Sequence, residues 1–135
     1  MNPNHDSEGP VTARIKLTFH TDERFFGPGI CELLERIRRS GSIQAAAAGM
    51  EMSYTKAWRI LNRAERAMGI PLITRVSGGK NGGCSVLTEA GERAIREFRE
   101  MERELSDAAN ELLKAHYAAF TGETMLSKQV NGCGR

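Results

Sequence analysis

The apolar side chains of the chain change their spacing from one segment to the next. Residues 13–20 alternate apolar and polar side chains, which predicts a half-buried strand. Residues 28–40 follow with a single apolar stripe at helical spacing, formed by Ile30, Leu33, Leu34 and Ile37. Because Pro28 suits the first turn of a helix and Gly41 suits its left-handed end, we predict a first helix over residues 28–40.

Two more helices are predicted after this glycine, each opened by a serine. Ser42 is expected to cap a short helix over 43–48, and Ser53 a longer helix that Gly69 and Pro71 end. The inner face of the longer helix is apolar or small, at Ala57, Leu61, Ala64 and Met68. Its opposite face is polar and cationic, at Thr55, Arg59, Asn62 and Arg66.

A hairpin and a long helix complete the pattern. Residues 72–76 predict a strand, 77–85 a glycine-rich loop, and Val86 and Leu87 the returning strand. Thr88 is expected to cap a last helix over 88–119, in which apolar or small residues recur in steps of three and four. This heptad seam consists of Gly91, Ala94, Phe98, Met101, Leu105, Ala108, Leu112, Ala115 and Ala119.

The order of these elements predicts a mainly α-helical protein with a small β-hairpin wing, the architecture of a winged helix-turn-helix. We expect a disordered tail at 1–10, one domain over 11–120 and a flexible tail at 121–135. The last helix, 88–119, would measure about 45 Å at ~30 residues, which exceeds what a domain of this size covers by itself. Its far half is therefore predicted to pair with a second copy of the chain.

Composition excludes several classes of function. The chain has 135 residues, 40% hydrophobic and 27% charged, and contains neither a secretory leader nor an apolar run near the ~20 residues that span a bilayer, which predicts a cytoplasmic protein. Cys31, Cys84 and Cys133 lie too far apart for a zinc or redox motif and are predicted to be free thiols. The sequence shows no nucleophilic residue at a spacing from a general base and an orienting group that is typical of a catalytic site. We therefore expect no enzyme activity, no metal site and no cofactor.

Charge is unevenly distributed along the chain. Residues 53–80 carry six lysines and arginines against the single acid Glu65, whereas acids outnumber bases in residues 88–114. A solvated surface helix usually mixes both signs, so the cationic segment favours a polyanionic partner such as nucleic acid.

Several motifs within this segment resemble the N-terminal DNA-binding domain of the ModE family of molybdate-responsive regulators. They are GSIQAAAAGMEMSY at 41–54, MSYTKAWRILNRAERAMGIPLITR at 52–75, GGKNGG at 78–83 and LTEAG at 87–91. The GIPL and LTEAG motifs more distantly resemble LysR-type regulators. The resemblance covers about residues 13–119 and implies a dimer that binds double-stranded DNA.

The resemblance also implies positions for the DNA contacts. Ser42 and Gln44 correspond to phosphate contacts at the start of the second helix, although plain capping explains Ser42 equally well. Residues predicted to enter the groove are Ser53, Tyr54, Thr55, Lys56, Arg59 and Arg63. In the wing, Lys80 and Asn81 lie between glycine pairs and are predicted to reach the DNA backbone or minor groove. Homodimer contacts are predicted at Phe98, Met101, Leu105 and Leu112.

Some alternatives stay open at this point. ModE regulators that sense molybdate carry oxyanion-binding domains after the long helix, whereas sixteen residues follow Ala119 here, so we expect a stand-alone dimer without oxyanion sensing and with an unknown effector. A heptad helix also suits an interaction protein that pairs with a different chain. A metal, oxyanion or redox sensor at the dimer interface is a third possibility, with Cys84 as the redox group. Trp58 is interpreted as a core or interface filler in preference to a base-stacking group.

Overall fold

The computed structural model describes residues 9–76 and 84–121, in which helices predominate over two small antiparallel sheets of two strands each. The elements in chain order are β1 (Phe19–His20), β2 (Arg24–Phe26), α1 (Pro28–Ser40), α2 (Ile43–Gly49), α3 (Tyr54–Met68), β3 (Ile73–Val76), β4 (Cys84–Leu87) and α4 (Glu89–Thr121). This order confirms the predicted mainly α-helical, winged helix-turn-helix architecture.

The prediction of a strand over 13–20 is wrong for most of its length. Residues 9–18 have no regular secondary structure, and only Phe19 and His20 form the strand β1. Phe19 pairs with Phe26 and His20 with Arg24, with an irregularity between the two pairs. An alternating pattern does not make a strand by itself, because a strand also needs a partner, and β2 offers only three residues.

Local caps fix the ends of the three helices of the motif, as the sequence predicted. The hydroxyl of Ser42 accepts the N–H of Ala45, and that of Ser53 accepts the N–H of Lys56, both at 3.0 Å. Gly41 and Gly69 adopt left-handed φ values of 74° and 72° after α1 and α3. These caps set where α3 begins and ends, and therefore which of its side chains face outward.

One hydrophobic core joins α1, α2 and α3 to the small sheets and to the start of α4. Its largest fully buried side chains are Phe98, Leu33, Leu34, Ile37, Leu61 and Leu72. Phe98 contacts the rings of Phe19 and Phe26 edge-on, with ring centroids 5.6 and 5.2 Å away. Phe98 was predicted to lie on the heptad seam of a dimer, and the structure places it inside the core of its own chain.

The base of the wing is held tightly between α3 and α4. The Thr88 hydroxyl donates to the carbonyl of Pro71 at 2.8 Å and accepts the N–H of Gly91 at 3.0 Å, which confirms Thr88 as the cap of α4. A Cβ atom at Gly91 would overlap the carbonyl oxygen of Leu72, so only glycine permits this close approach. The wing strands β3 and β4 thus leave the body of the domain at a fixed position.

The chain divides into two compact units at about residue 102 of α4. Among the described residues, 16–76 and 84–102 form the larger unit, which contains the helix-turn-helix. The smaller unit consists of 9–15 and 103–121; within it, the side chain of Asn110 accepts the N–H of Ala13 at 2.7 Å and donates to its carbonyl at 3.3 Å. None of the described helices combines the length and the apolar character needed to cross a membrane.

Candidate nucleic-acid interface

The outward face of α3 is a cationic surface. Ala57, Leu61 and Ala64 are fully buried beneath it. The exposed residues of the helix include the predicted groove contacts and two further polar side chains, namely Tyr54, Thr55, Lys56, Arg59, Asn62, Arg63 and Arg66. Ser53, also exposed, uses its hydroxyl for the cap. The predicted groove residues are therefore gathered on one accessible side of one helix.

The single acid of this segment is directed away from the cationic face. The carboxylate of Glu65 accepts the backbone N–H groups of Leu72 and Ile73 at 2.8 and 3.2 Å, where it secures the start of β3. Within the described part of the chain, Asp22 and Glu23 of the β1–β2 turn line a groove with Arg59, Arg63 and Arg66. Glu65 is thus a structural residue, so the cations of α3 are not neutralised within their own helix.

A polar cleft of about 280 Å³ lies between the start of α2, the start of α3 and the base of the wing. Ser42 and Gln44 line it from α2, and Tyr54 lines it from α3. The structure therefore brings three of the predicted contact residues together in one cleft. In the sequence these residues lie within 12 positions of one another. The Ser42 hydroxyl is engaged as the α2 cap, while Gln44 is exposed.

Arg75 of β3 is a cationic residue of this cleft that the sequence did not single out. Its guanidinium carbon lies 4.0 Å from the centroid of the Trp58 ring, and its Nη2 donates to the Tyr54 hydroxyl at 3.2 Å. The hydrogen bond from Arg75 also lowers the pKa of Tyr54. Trp58 itself is half-buried against the core, so it supports Arg75 from below.

The cluster of Tyr54, Trp58 and Arg75 has only a weak signal in the sequence, namely a single tryptophan followed by an arginine in the wing strand. Tyr54 and Trp58 lie one helical turn apart on α3, with their rings edge-to-face at 6.4 Å. Arg75 reaches them from another element because the hairpin folds back. That fold-back is a tertiary event without a local signal in the sequence.

The wing is described only at its base. β3 and β4 pair in register from Ile73 with Leu87 to Val76 with Cys84, and the N–H of Ser85 donates to the carbonyl of Gly41 at 2.8 Å. The predicted wing contacts Lys80 and Asn81 lie outside the described residues. Cys84 is exposed at the edge of the cleft, whereas burial raises the pKa of Cys31 to about 11.

The predicted dimer contacts divide into two groups. Phe98 is buried in the larger unit. Met101, Leu105 and Leu112 are exposed large apolar side chains, and Leu112 is 59% accessible. The apolar stripe available to another chain therefore begins after Phe98.

Comparison with known proteins connects this geometry to a family. The sequence profile of bacterial regulatory helix-turn-helix proteins of the lysR family matches residues 31–92, which span α1 to the start of α4. This part of the chain is a helix-turn-helix domain of the ModE and LysR type. In a helix-turn-helix motif the second helix lies in the major groove, and α3 is the second helix of the motif in this chain.

Curated relatives extend the comparison. The molybdenum transport protein ModE of Azotobacter vinelandii is 39% identical over 80 residues, which cover 59% of this chain and 30% of the relative. The DNA-binding transcriptional dual regulator ModE of Escherichia coli is 38% identical over 87 residues, 64% of this chain and 33% of the relative. The chain thus spans about a third of the length of these relatives.

Two further matches differ in weight. The molybdenum-pterin-binding protein MopB of Rhodobacter capsulatus is 41% identical over 70 residues, which cover 52% of this chain and 26% of that protein. A crystal structure of a LysR family transcriptional regulator superposes with a TM-score of 0.48 at 20% identity, covering 67% of this chain and 28% of that one. The family assignment rests on the sequence matches and takes nothing from this superposition.

Proposed function

We propose that the protein is a cytoplasmic, non-enzymatic transcriptional regulator that binds double-stranded DNA as a homodimer and inserts α3 into the major groove. The observation that carries this function is the outward face of α3, where exposed cations face solvent while Glu65 is engaged with the wing. A helix of this diameter fits the groove, and its cations neutralise phosphates and read base edges.

The residues on this surface take different roles. Arg59 lies in the middle of the exposed face, where its guanidinium reaches a base edge, and Ser53, Thr55 and Lys56 approach the same groove from the start of α3. Arg75, fixed by Trp58 and Tyr54, lies in the cleft beside Gln44 and binds the DNA backbone there. Arg63, Lys80 and Asn81 add further contacts.

The homodimer forms through the far half of α4. Its support is the stripe of Leu105 and Leu112, both exposed in the single chain, with the small residues Ala108 and Ala115 between and after them. Two such stripes pair as a short coiled coil and place two copies of α3 on one DNA duplex.

The decisive experiment separates base reading from backbone binding. A preferred duplex is selected from a random pool, and affinity for it and for an unrelated duplex is measured across a salt series. Arg59→Ala should lose about 1–3 kcal/mol of binding free energy on the preferred duplex, because it removes a base contact. The ratio of affinities between the preferred and the unrelated duplex should therefore fall. Arg75→Gln should weaken both duplexes in proportion and lower the salt slope by about one.

Two results would contradict the proposal. Absence of binding to any duplex at low salt would leave an interaction protein as the better reading of the cationic face. A wild-type preference in Arg59→Ala, together with a lost preference in Arg75→Gln, would reverse the assigned roles.

A further inference from the structure

A second cationic cleft lies on the other flank of α3, away from the wing. It measures about 280 Å³ and is formed by the segment before β1, by β2, by the start of α1 and by α3. Lys16, Arg24 and Arg63 line it, over apolar walls that include Phe25 and Ile60. All of its lining residues are described, and none of them is acidic.

Lys16 and Arg24 lie eight residues apart in the sequence, and they meet Arg63, 39 residues further along, only in the folded chain. Bringing like charges together is unfavourable unless solvent or an anion compensates them. Among the residues that the structure describes, neither Lys16 nor Arg24 takes part in an ion pair. The cleft is therefore a cationic surface site that favours binding of an anion.

The anion follows from the place of the cleft beside α3. Tyr54 and Trp58 occupy the flank of the helix that faces the wing, whereas Ile60 and Arg63 occupy the flank that faces this cleft. A helix about 10–12 Å wide fills a major groove of about 12 Å, so each flank meets one of the two phosphate backbones. The wing flank meets one backbone, and the cleft flank meets the other.

We propose that Lys16, Arg24 and Arg63 form a binding site for a backbone phosphate of the DNA strand opposite the one met by the wing. This inference rests on the proposed function and extends the interface to Lys16 and Arg24, which lie before the residues 31–92 matched by the family profile. It assigns a function to the β1–β2 hairpin, which presents Arg24 beside Ile60 and Arg63 of α3.

One acid competes for this site in the free protein. The carboxylate of Glu23 lies 3.4 Å from Nε of Arg63, and the two side chains are 72% and 46% accessible. A surface pair of this kind contributes little stability because water screens it. A DNA phosphate can replace it, so Glu23 lowers affinity for DNA without reading sequence.

The test uses the full chain with the selected and the unrelated duplex. We expect Arg24→Gln to weaken both duplexes several-fold by the same factor and to lower the salt slope by about one, and Lys16→Gln combined with it to lower the slope by about two. Glu23→Gln should strengthen both. Arg96→Gln is the matched control: it removes the same charge from an exposed position on α4 that does not line the cleft, and should change neither duplex.

The outcomes separate this inference from the function on which it rests. If the wild-type chain binds DNA and Arg24→Gln behaves like Arg96→Gln, the cleft is not a phosphate site although the proposed function stands. A change of sequence preference in Arg24→Gln, with the salt slope unchanged, also overturns it. If the wild-type chain binds no DNA, the proposed function itself fails. Thermal melts of each variant confirm that the fold is retained.

Discussion

The two halves of α4 carry the same heptad pattern but have different surroundings. In the first half Ala90, Ile95 and Phe98 are buried in the core of the helix-turn-helix unit, with Phe98 only 1% accessible. In the second half Leu105 and Leu112 follow Phe98 at intervals of seven residues, in the same heptad position, and are exposed. A hydrophobic pattern thus specifies which face of a helix avoids water, but it does not specify whether the same chain or another copy covers that face.

This difference determines what each half contributes. Burial of the first half stabilises the single chain directly, because its apolar area is removed from water as the domain folds. The second half gains comparable free energy only when another surface covers it. Substitutions at matched positions in the two halves should therefore affect different measurable quantities.

The largest effect is expected at the core end of the helix. Phe98→Ala removes a ring that packs on Phe19 and Phe26 and should lower the free energy of unfolding by about 3–5 kcal/mol. Leu112→Ala, measured at a concentration at which the chain is monomeric, should change this free energy by less than about 0.5 kcal/mol. Urea unfolding followed by circular dichroism gives both values, and equal losses would refute the division of the helix.

The association of two chains should depend on the second half of α4 and not on the first. The double variant Leu105→Lys with Leu112→Lys places charges in the proposed apolar contact, where each unpaired charge costs at least about 1–3 kcal/mol. We expect sedimentation to give the mass of one chain, with the thermal stability of the helix-turn-helix retained. A dimer of unchanged mass would show that this stripe is not the interface.

The local parts of the fold were predictable from sequence, whereas its long-range contacts were not. The starts of α2 and α3 follow from Ser42 and Ser53, and the ends of α1 and α3 from the left-handed Gly41 and Gly69, each of which acts within a few residues. In contrast, most of the strand predicted over 13–20 does not form because it has no partner strand, and the burial of Phe98 depends on rings far away in sequence. Spacing contains no information about such partners.

The candidate site shows the same limit. The exposed groove residues of α3 follow from its amphipathic pattern, because helix geometry alone places Arg59 opposite Ala57 and Leu61. Arg75 was not predicted as a site residue because it lies on β3, whereas its two partners lie on α3. Lys16 and Arg24 were not predicted because they meet Arg63 only in the complete fold.

Ion pairs provide a smaller test of the same comparison. In the first half of α4, Arg99 donates two hydrogen bonds to Glu35 of α1, at 2.9 and 3.1 Å, and this contact lowers the pKa of Glu35 below its usual 4.5. Since the folded pKa is the lower one, the stabilisation is complete above about pH 4.5 and is lost as the pH falls through the folded value. Glu35→Gln should therefore flatten the loss of unfolding free energy between neutral and acidic pH.

The second half offers the matched control for this pH dependence. Asp107 pairs with Arg103 at 3.3 Å, but both side chains are at least 60% accessible. Water screens such a pair, so Asp107→Asn should leave the acid dependence of unfolding close to that of the wild type. An equal effect of Glu35→Gln and Asp107→Asn would show that burial does not distinguish the two halves electrostatically.

The smallest expected effect concerns the smaller unit, where Asn110 of α4 binds the backbone of the N-terminal segment at Ala13. Its side chain makes two hydrogen bonds to the backbone of Ala13 and a third, at 2.7 Å, to the carbonyl of Ser106. Because these groups are only partly buried, Asn110→Ala should cost about 1 kcal/mol of local stability and increase the population of the released segment about fivefold. Trypsin cleavage after Arg14 measures that release, since a protease cuts the detached segment. Ser106→Ala is the control, because it keeps the carbonyl and should leave the cleavage rate unchanged. If Asn110→Ala is cut no faster, these hydrogen bonds do not hold the segment against α4.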